Sequence, residues 1–258
     1  MINPRSILIT GASSGIGQAL AFSYAREGRF LFLTGRHIKR LEETAVICQT
    51  KGAVVNFKSI EITNTNEMYE WINEIGSTMT IDLVIANAGI SLGSTTSDVI
   101  GVDEQTKNIF DTNFNGTLNT ILPTLKHMSK NGKGQIALMS SMAGFRGLPG
   151  AAAYCSTKAA IRVFGEGLKI SAADSGIDIS VICPGYVETS MTAKNDFYMP
   201  FIMTPESAAN RIRKGLNRKK SRIAFPKRMY FLLWVIQLLP IFLVDLVISK
   251  LPRKKAAH

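Results

Sequence analysis

The sequence contains little cysteine, and the few cysteines present are not spaced for metal binding. Cys48, Cys155 and Cys183 are an odd number in a chain of 258 residues, and they form no metal-ligand motif. This usage is typical of a reducing compartment, in which thiols are buried or incidental. We therefore expect a cytoplasmic protein without a bound metal.

Internal repeats and low-complexity stretches are absent from the sequence, and we expect no leader segment. Its first five residues run directly into an apolar stretch, which leaves no room for a signal peptide. Because 46% of the residues are hydrophobic, the chain can bury a large core as one domain.

Acidic residues are scarce in one region only. Residues 1–210 hold 17 basic and 18 acidic side chains, whereas residues 211–258 hold 13 basic side chains and one acid, Asp245. The net charge of +11 therefore belongs to the C-terminal segment. A local excess of this kind suggests a partner for that segment rather than for the whole chain.

Apolar runs of β-forming residues alternate with segments of helical periodicity. Strands are predicted at residues 6–10, 30–34, 53–59, 81–86, 134–140, 178–183 and 222–225. Helices are predicted at residues 18–27, 39–50, 66–75, 102–111, 116–130, 153–173 and 205–216. The alternation predicts an α/β fold, a doubly wound parallel sheet of Rossmann type with about seven strands. We expect residues 1–226 to form this single domain and residues 227–258 to form a helical extension.

A glycine-rich turn, TGASSGIG at residues 10–17, follows the first predicted strand. Gly11 would permit a tight turn, Gly15 would let the backbone approach a pyrophosphate, and Gly17 would let the helix pack on the strand. The helix N-terminus behind the turn favours bound phosphate. An ordinary strand–helix loop is the alternative. Further cofactor contacts are expected from Ser13, Ser14 and Ile16.

The ends of the later strands supply the other candidate contacts, because ligands of such sheets bind beyond the carboxyl ends of the strands. The second strand is followed by Gly35 and Arg36 instead of a carboxylate, which favours NADP(H) over NAD(H), with Arg36 at the 2′-phosphate. A solvated arginine in a basic turn is the alternative. The remaining candidates for cofactor binding are Glu61, Ile62, Asn87, Ala88, Gly89, Pro184 and Gly185.

Tyr154 and Lys158 lie four residues apart, so a helix would place them on one face. A phenol with a pKa near ~10 is a poor base at neutral pH. A nearby ammonium group favours the phenolate and lowers that pKa. The pair therefore suits proton transfer to or from a carbonyl or an alcohol. The spacing alone is common on helix surfaces and gains its weight from the glycine-rich α/β context.

Together these motifs resemble the short-chain dehydrogenase/reductase family. The resemblance extends from residue 5 to about residue 226, in the family's order and spacing. Beside the glycine turn and Lys158, it rests on Asn87-Ala88-Gly89, on Asn113, on Ser141 thirteen residues before Tyr154, and on residues 184–189. The resemblance implies an NADP(H)-dependent oxidoreductase that interconverts a carbonyl compound and its alcohol.

The resemblance also implies roles for the catalytic residues. Tyr154 would be the acid/base, and Ser141 would hydrogen-bond the substrate oxygen. Lys158 would lower the pKa of the tyrosine and hold the nicotinamide ribose, while Asn113 would hold a water in a relay to Lys158. Ser140 is set aside only because of its spacing to Tyr154.

Two further positions follow from the same resemblance. Thr189 and the backbone of Val187 would meet the nicotinamide carboxamide. Glu61 departs from the aspartate that is usual in the family, which puts its adenine contact in mild doubt.

Residues 191–203 follow in the place of the family's substrate lid and are rich in methionine and aromatic residues. Pockets of this composition are adaptable and apolar. They suit a lipophilic carbonyl compound or alcohol, such as an acyl-chain, sphingoid-like, steroid-like or retinoid-like one. A loop that packs on the core is the alternative.

Residues 227–250 are very apolar, and basic clusters at residues 218–220 and 253–255 flank them. Three interpretations stay open. The first is a transmembrane helix, although Gln237, Pro240 and Asp245 interrupt it. The second is a pair of short helices broken at Pro240 and lying in the membrane interface. The third is a lid or a dimer contact.

Partners and rival functions complete the expectations. We expect a small apolar substrate, no nucleic acid, and a homodimer or homotetramer formed through the helices at residues 116–130 and 153–173. A peripheral place on the cytoplasmic face of a membrane is the alternative location. The rival functions are a catalytically silent NADP(H)-binding protein and a membrane-surface interaction protein on the same fold.

Overall fold

The computed structural model describes residues 3–91 and 102–249. Its strands are β1 (Ser6–Thr10), β2 (Phe30–Thr34), β3 (Val54–Lys58), β4 (Leu83–Ala86), β5 (Gly134–Met139), β6 (Ile177–Pro184) and β7 (Arg222–Phe225). Its helices are α1 (Gly15–Tyr24), α2 (Ile38–Thr50), α3 (Thr65–Thr78), α4 (Val102–Phe110), α5 (Gly116–Asn131), α6 (Ala152–Ser171), α7 (Pro205–Asn217), α8 (Lys227–Gln237) and α9 (Ile241–Ile248). The predicted doubly wound α/β fold is confirmed.

The seven strands form one parallel sheet in the order β3-β2-β1-β4-β5-β6-β7. In the middle of the sheet, Ile9 of β1 lies beside Leu33 of β2 and Ile85 of β4. The direction of strand addition reverses between β1 and β4. A crevice for ligands opens at such a reversal, at the carboxyl ends of the strands.

Both faces of the sheet are buried, which explains the continuous apolar runs of its strands. Ile7 and Ile9 of β1 point into one core layer, and Leu8 between them points into the other. Helices α1, α2 and α7 cover the first layer, and α3, α5 and α6 cover the second. Alternate side chains of a single strand therefore contribute to both core layers.

Helix and strand ends differ from the predictions by a few residues, for local reasons. The β4 strand begins at Leu83 rather than at residue 81, because the carboxylate of Asp82 accepts the backbone N–H groups of Arg5 and Ser6 at the start of β1. Helix α1 begins at Gly15 rather than at residue 18, directly on the glycine turn.

Helices α4 and α5 are joined without a loop. One turn of π-helix, Asp111–Asn115, connects them and carries Asn113. A π turn adds a residue to the helix and re-aims its side chains, and such turns are frequent at functional sites. The sequence prediction of two separate helices missed this continuity.

The C-terminal extension forms α8 and α9, which are separated near Pro240 as expected of a proline. Within residues 3–91 and 102–249, we find no helix with the length and apolarity needed to cross a membrane. The basic cluster at residues 253–255 lies outside the described residues.

Candidate active site

A cleft of about 460 Å³ runs along the carboxyl ends of the strands. Its walls contain residues that follow β1 to β6. All but two of the predicted site residues line it: Gly11, Ser13, Ser14, Gly15, Ile16, Arg36, Glu61, Ile62, Asn87, Ala88, Gly89, Ser141, Tyr154, Lys158, Pro184, Gly185, Val187 and Thr189. The two exceptions, Gly17 and Asn113, are buried directly behind the wall.

The glycine turn has no room for side chains. Gly11 and Gly15 have φ angles of +67° and +55°, which favour glycine. A Cβ atom on Gly15 would lie 2.9 Å from Cγ2 of Thr189, and one on Gly11 would lie 2.9 Å from Cα of Ala88. A side chain at Gly15 would therefore fill the space between the turn and the segment after β6.

Gly17 serves the turn in another way than expected. A Cβ atom there would lie 2.2 Å from the carbonyl oxygen of Gly11 and 2.6 Å from Nδ2 of Asn87. The close packing is thus against the turn itself. Helix α1 starts at Gly15, without a side-chain cap from Ser14 and without an acid in its first turn. The positive end of the helix is therefore left for an anion, and the turn fits a pyrophosphate.

Asn87 holds the glycine turn against β4. Its Nδ2 donates to the carbonyl oxygen of Thr10 at 2.9 Å, and Thr10 Oγ1 accepts the backbone N–H groups of Asn87 and Ala88, both at 3.1 Å. Thr10 begins the glycine motif, but its spacing alone predicts no role for its hydroxyl. It is a positioning residue for both sides of the crevice.

The cleft is cationic where β2 ends. Arg36 is exposed there, and His37 and Arg40 line the same end. Among the described residues that line the cleft, the only carboxylate is that of Glu61, after β3. Arg40 was considered only as part of a basic turn. Its place on the first turn of α2, four residues after Arg36, is the signal that it shares this site.

Ser141, Tyr154 and Lys158 converge at the other end of the cleft. Ser141 shares a side-chain hydrogen bond with Tyr154, and its Oγ accepts the N–H of Ala143 at 3.1 Å. Lys158 Nζ lies 5.7 Å from the centre of the Tyr154 ring and donates to the carbonyl oxygen of Met139 at 2.8 Å. The geometry matches a proton-transfer site.

The two neighbouring serines are clearly separated. Ser140 is buried, and its Oγ donates to the carbonyl oxygen of Lys158 at 2.7 Å. Both serines line the cleft, but Ser141 is only partly buried. Ser140 therefore supports α6 through its bond to the helix backbone, and the more exposed Ser141 is the better placed of the two for a ligand.

The pKa values of the pair differ from the expectation. Burial raises the pKa of Tyr154 to about 12, and the hydrogen bond from Ser141 lowers it only partly. Burial also lowers the pKa of Lys158 to about 8. The ammonium group lies over the ring and binds Met139 O, so desolvation outweighs its attraction for a phenolate. With this raised pKa, Tyr154 keeps its phenolic proton at neutral pH.

Asn113 clamps the segment that follows Gly89. Its Oδ1 accepts the N–H of Ile90 at 2.7 Å, and its Nδ2 donates to the carbonyl oxygen of Ile90 at 2.9 Å and to Thr157 Oγ1 at 3.1 Å. Its side-chain bonds therefore tie the π turn, α6 and the cleft wall together. The relay role of Asn113 stays a prediction.

The segment after β6 is folded over the cleft by hydrogen bonds. Thr192 Oγ1 donates to the carbonyl oxygen of Val187 at 2.6 Å and accepts the N–H of Thr189 at 2.9 Å. Farther along, Tyr198 is 87% exposed and Phe201 is 51% exposed, so these aromatic rings do not pack on the core. Thr192 was not singled out in the sequence.

Comparisons with known proteins agree with this geometry. A family model described as short chain dehydrogenase matches residues 5–197. An uncharacterized oxidoreductase from Myxococcus xanthus is 36% identical over 223 residues, which cover 86% of this chain and 87% of that protein. Human epidermal retinol dehydrogenase 2 is 30% identical over 244 residues, which cover 91% and 78% of the two chains.

A solved structure shows the same fold. A short-chain dehydrogenase from Sphingobium yanoikuyae, in complex with NADPH, superimposes with a TM-score of 0.79 at 22% identity. The match covers 98% of each chain.

Proposed function

Because the chain belongs to the short-chain dehydrogenase family and is thus an oxidoreductase, we propose that it interconverts an apolar carbonyl compound and its alcohol with NADP(H). One observation carries the proposal. Ser141, Tyr154 and Lys158 meet at one end of a cleft whose other end is the glycine turn. A cofactor with its phosphates at the turn would point its reactive end toward the tyrosine.

The bound nicotinamide would supply the hydride. Tyr154, protonated at neutral pH because burial raises its pKa to about 12, would donate its phenolic proton to the carbonyl oxygen. Ser141 would hold that oxygen through a second hydrogen bond. Lys158 would bind the nicotinamide ribose from the floor of the cleft. The raised pKa of Tyr154 favours carbonyl reduction at neutral pH, and alcohol oxidation is expected to rise with pH.

The residues after β2 support NADP(H) as the preferred cofactor. Chains of this fold are solved with NADPH and with NAD bound, so the fold does not decide the preference. Arg36 and Arg40 line that end of the cleft, where a carboxylate would be needed for a ribose 2′-hydroxyl. Guanidinium groups suit a 2′-phosphate.

An apolar substrate is supported by the surroundings of Ser141 and Tyr154. Met139 and Met191 line the cleft, and the exposed rings of Tyr198 and Phe201 belong to the segment that follows. One relative is named a retinol dehydrogenase, which fits an apolar alcohol. We propose an acyl-chain, sphingoid-, steroid- or retinoid-like compound, and hence a role in lipid metabolism.

The reaction is tested by NADPH oxidation with a panel of apolar ketones and aldehydes. Tyr154→Phe should lower turnover at least about 100-fold, because the proton donor is lost, and should leave NADPH affinity almost unchanged. Tyr69→Phe is the matched control, since its ring is 42% exposed on α3 and does not line the cleft. Equal turnover of wild type and Tyr154→Phe would contradict the mechanism. NADPH binding without turnover on any compound would favour the silent cofactor-binding protein.

The cofactor preference is tested separately, by calorimetric measurement of NADPH and NADH binding. Arg36→Ala should weaken NADPH binding by about tenfold or more and leave NADH binding within about twofold, because only NADPH carries the 2′-phosphate. Equal losses for both cofactors would contradict the assignment of Arg36.

We also propose a cytoplasmic homodimer or homotetramer formed through α5 and α6. Leu122 of α5 and Val163 and Ile170 of α6 are large apolar residues that are 51%, 58% and 79% exposed. Sedimentation velocity tests this assembly, and a monomer at micromolar concentration would contradict it.

A further inference from the structure

The C-terminal helix pair, α8 and α9, is attached to the catalytic domain by its polar residues. Gln237 Nε2 donates to the carbonyl oxygen of Phe145 at 3.0 Å, and Asp245 forms an ion pair with Arg146 at 3.0 Å. The ring of Tyr230 packs edge-on against Phe145 at 5.7 Å. The polar residues that interrupt this apolar segment thus face the protein.

Most large apolar residues of the pair face outward, whereas Val244 of α9 is buried against the domain. None of the residues of α8 is buried. Exposed fractions of 52% to 68% are found for Phe231, Trp234, Leu238, Ile241, Phe242 and Leu246. A water-facing helix would present polar side chains over this area, and here large apolar side chains occupy it. An apolar surface of this size marks an interaction site.

The charges beside this surface indicate its partner. Lys227 and Arg228 are exposed at the start of α8, and the acid Asp245 is already paired with Arg146. A two-fold contact between copies would place the same surface against itself, with cations and no free acid in the described part of the pair. Anionic lipid headgroups would neutralise the cations, and acyl chains would cover the apolar side chains.

We propose that the C-terminal helix pair docks the protein on the surface of a membrane that contains anionic lipid. The helices lie in the plane of the interface, with Phe231, Trp234 and Phe242 in the acyl boundary and with Lys227 and Arg228 among the headgroups. The surface is peripheral, because α8 and α9 have 11 and 8 residues and each is too short to span a bilayer.

The docked surface adjoins the catalytic end of the cleft. Phe145 and Arg146, which hold the helix pair, follow Ser141 by four and five residues. Met229 of α8 contacts Gly185, where a Cβ atom would lie 3.0 Å from the Met229 sulfur. An apolar substrate can therefore reach the cleft from the bilayer. This consequence rests on the proposed function, whereas membrane docking itself does not.

Vesicle flotation of the full chain tests the docking. Wild type should float with phosphatidylcholine vesicles that contain phosphatidylglycerol, and should float far less with phosphatidylcholine alone or in high salt. Trp234→Glu should reduce flotation at least about tenfold, since a charge replaces an inserted ring. The matched control is Val46→Glu, at a 56% exposed position on α2, which should float like wild type.

A second pair of variants isolates the charges. Lys227→Glu with Arg228→Glu should lose about tenfold or more in flotation and most of the salt dependence. The control is Arg218→Glu with Lys220→Glu, which makes the same charge change at the end of β7 that lies away from α8 in the sequence. Its flotation should stay within about twofold of wild type. Equal losses in both double variants would overturn the assignment to the helix pair.

Further readouts separate this proposal from the proposed function. All variants should bind NADPH like wild type, which shows that they are folded. Emission from Trp234 should shift to the blue on vesicles, because Trp71, the other tryptophan, is buried. Flotation without carbonyl reduction would contradict the proposed function and leave the proposed docking supported. Absence of flotation, or loss of self-association instead of flotation in Trp234→Glu, would overturn the docking.

Discussion

The catalytic domain and the C-terminal helix pair handle apolar residues in opposite ways. In the catalytic domain, leucine and isoleucine side chains such as Leu20 and Ile9 are fully buried between sheet and helices. In the helix pair, leucines such as Leu232 and Leu246 are 58% and 60% exposed, while polar side chains such as Gln237 bond to the domain. The same residue type therefore stabilises the fold in one region and leaves a surface for a partner in the other.

An apolar sequence segment therefore does not by itself locate a core. In the central strands of the sheet, apolar side chains such as Ile9 and Leu33 are buried under a second layer, so their burial contributes to the free energy of unfolding. In the helix pair, the attachment combines hydrogen bonds and one exposed ion pair, which contribute little, with a few apolar contacts such as those of Val244 and Tyr230. The pair therefore adds less to stability than an equally apolar segment of the sheet.

Leucine-to-alanine variants should show the largest difference in stability between the two regions. Leu20→Ala, in α1, should lower the free energy of unfolding by about 2–5 kcal/mol, because it leaves a cavity in the core. Leu232→Ala, in α8, should change it by less than about 0.5 kcal/mol, because the side chain is 58% exposed. Urea unfolding of the two variants measures both values. A large loss in Leu232→Ala would show that its face is covered within the protein's own assembly.

The fold was predictable because its signals are local and repeated. The bounds of β1, β2 and β7 agree with the prediction, since each is a short apolar run closed by a turn. The π turn at Asp111–Asn115 was not predictable, because its helical pattern continues without a break. The start of β4 depends on Asp82 binding the first strand, a contact between distant residues.

The candidate site was predictable where residues follow strands, and less so where they act through others. Arg36 and Ser141 were expected from their places after β2 and β5, and both line the cleft. Thr10 and Thr192 were missed, because a hydroxyl that binds backbone carries no spacing signal. The three interpretations of the C-terminal segment could not be separated, because Gln237 interrupts an apolar run equally whether it faces lipid or protein.

The buried Lys158 should make the stability of the catalytic domain depend on pH. Burial lowers the pKa of Lys158 from 10.5 to about 8, so above about pH 8 the unfolded chain holds a proton that the folded chain has lost. Stability therefore rises with pH through that window. Relative to Lys158→Met, the free energy of unfolding of wild type should increase by about 2 kcal/mol between about pH 8 and pH 10.

Unfolding of both proteins in urea at several pH values measures this difference. Taking the difference between the two removes the contributions of the other groups whose pKa values burial raises, such as Tyr154, Cys48 and Cys183. A difference that is flat with pH would mean that Lys158 keeps its ordinary pKa in the folded protein.

The ion pair between Arg146 and Asp245 gives the smallest effect and the finest test of the comparison. Its side chains are 31% and 67% exposed, so water screens the attraction. A double-mutant cycle with Arg146→Ala and Asp245→Ala should give a coupling energy of about 0.2–1 kcal/mol that falls in high salt. Coupling above about 2 kcal/mol would be typical of a desolvated pair. The helix pair would then be part of the folded core, and its outward apolar face would have to be covered in the free protein.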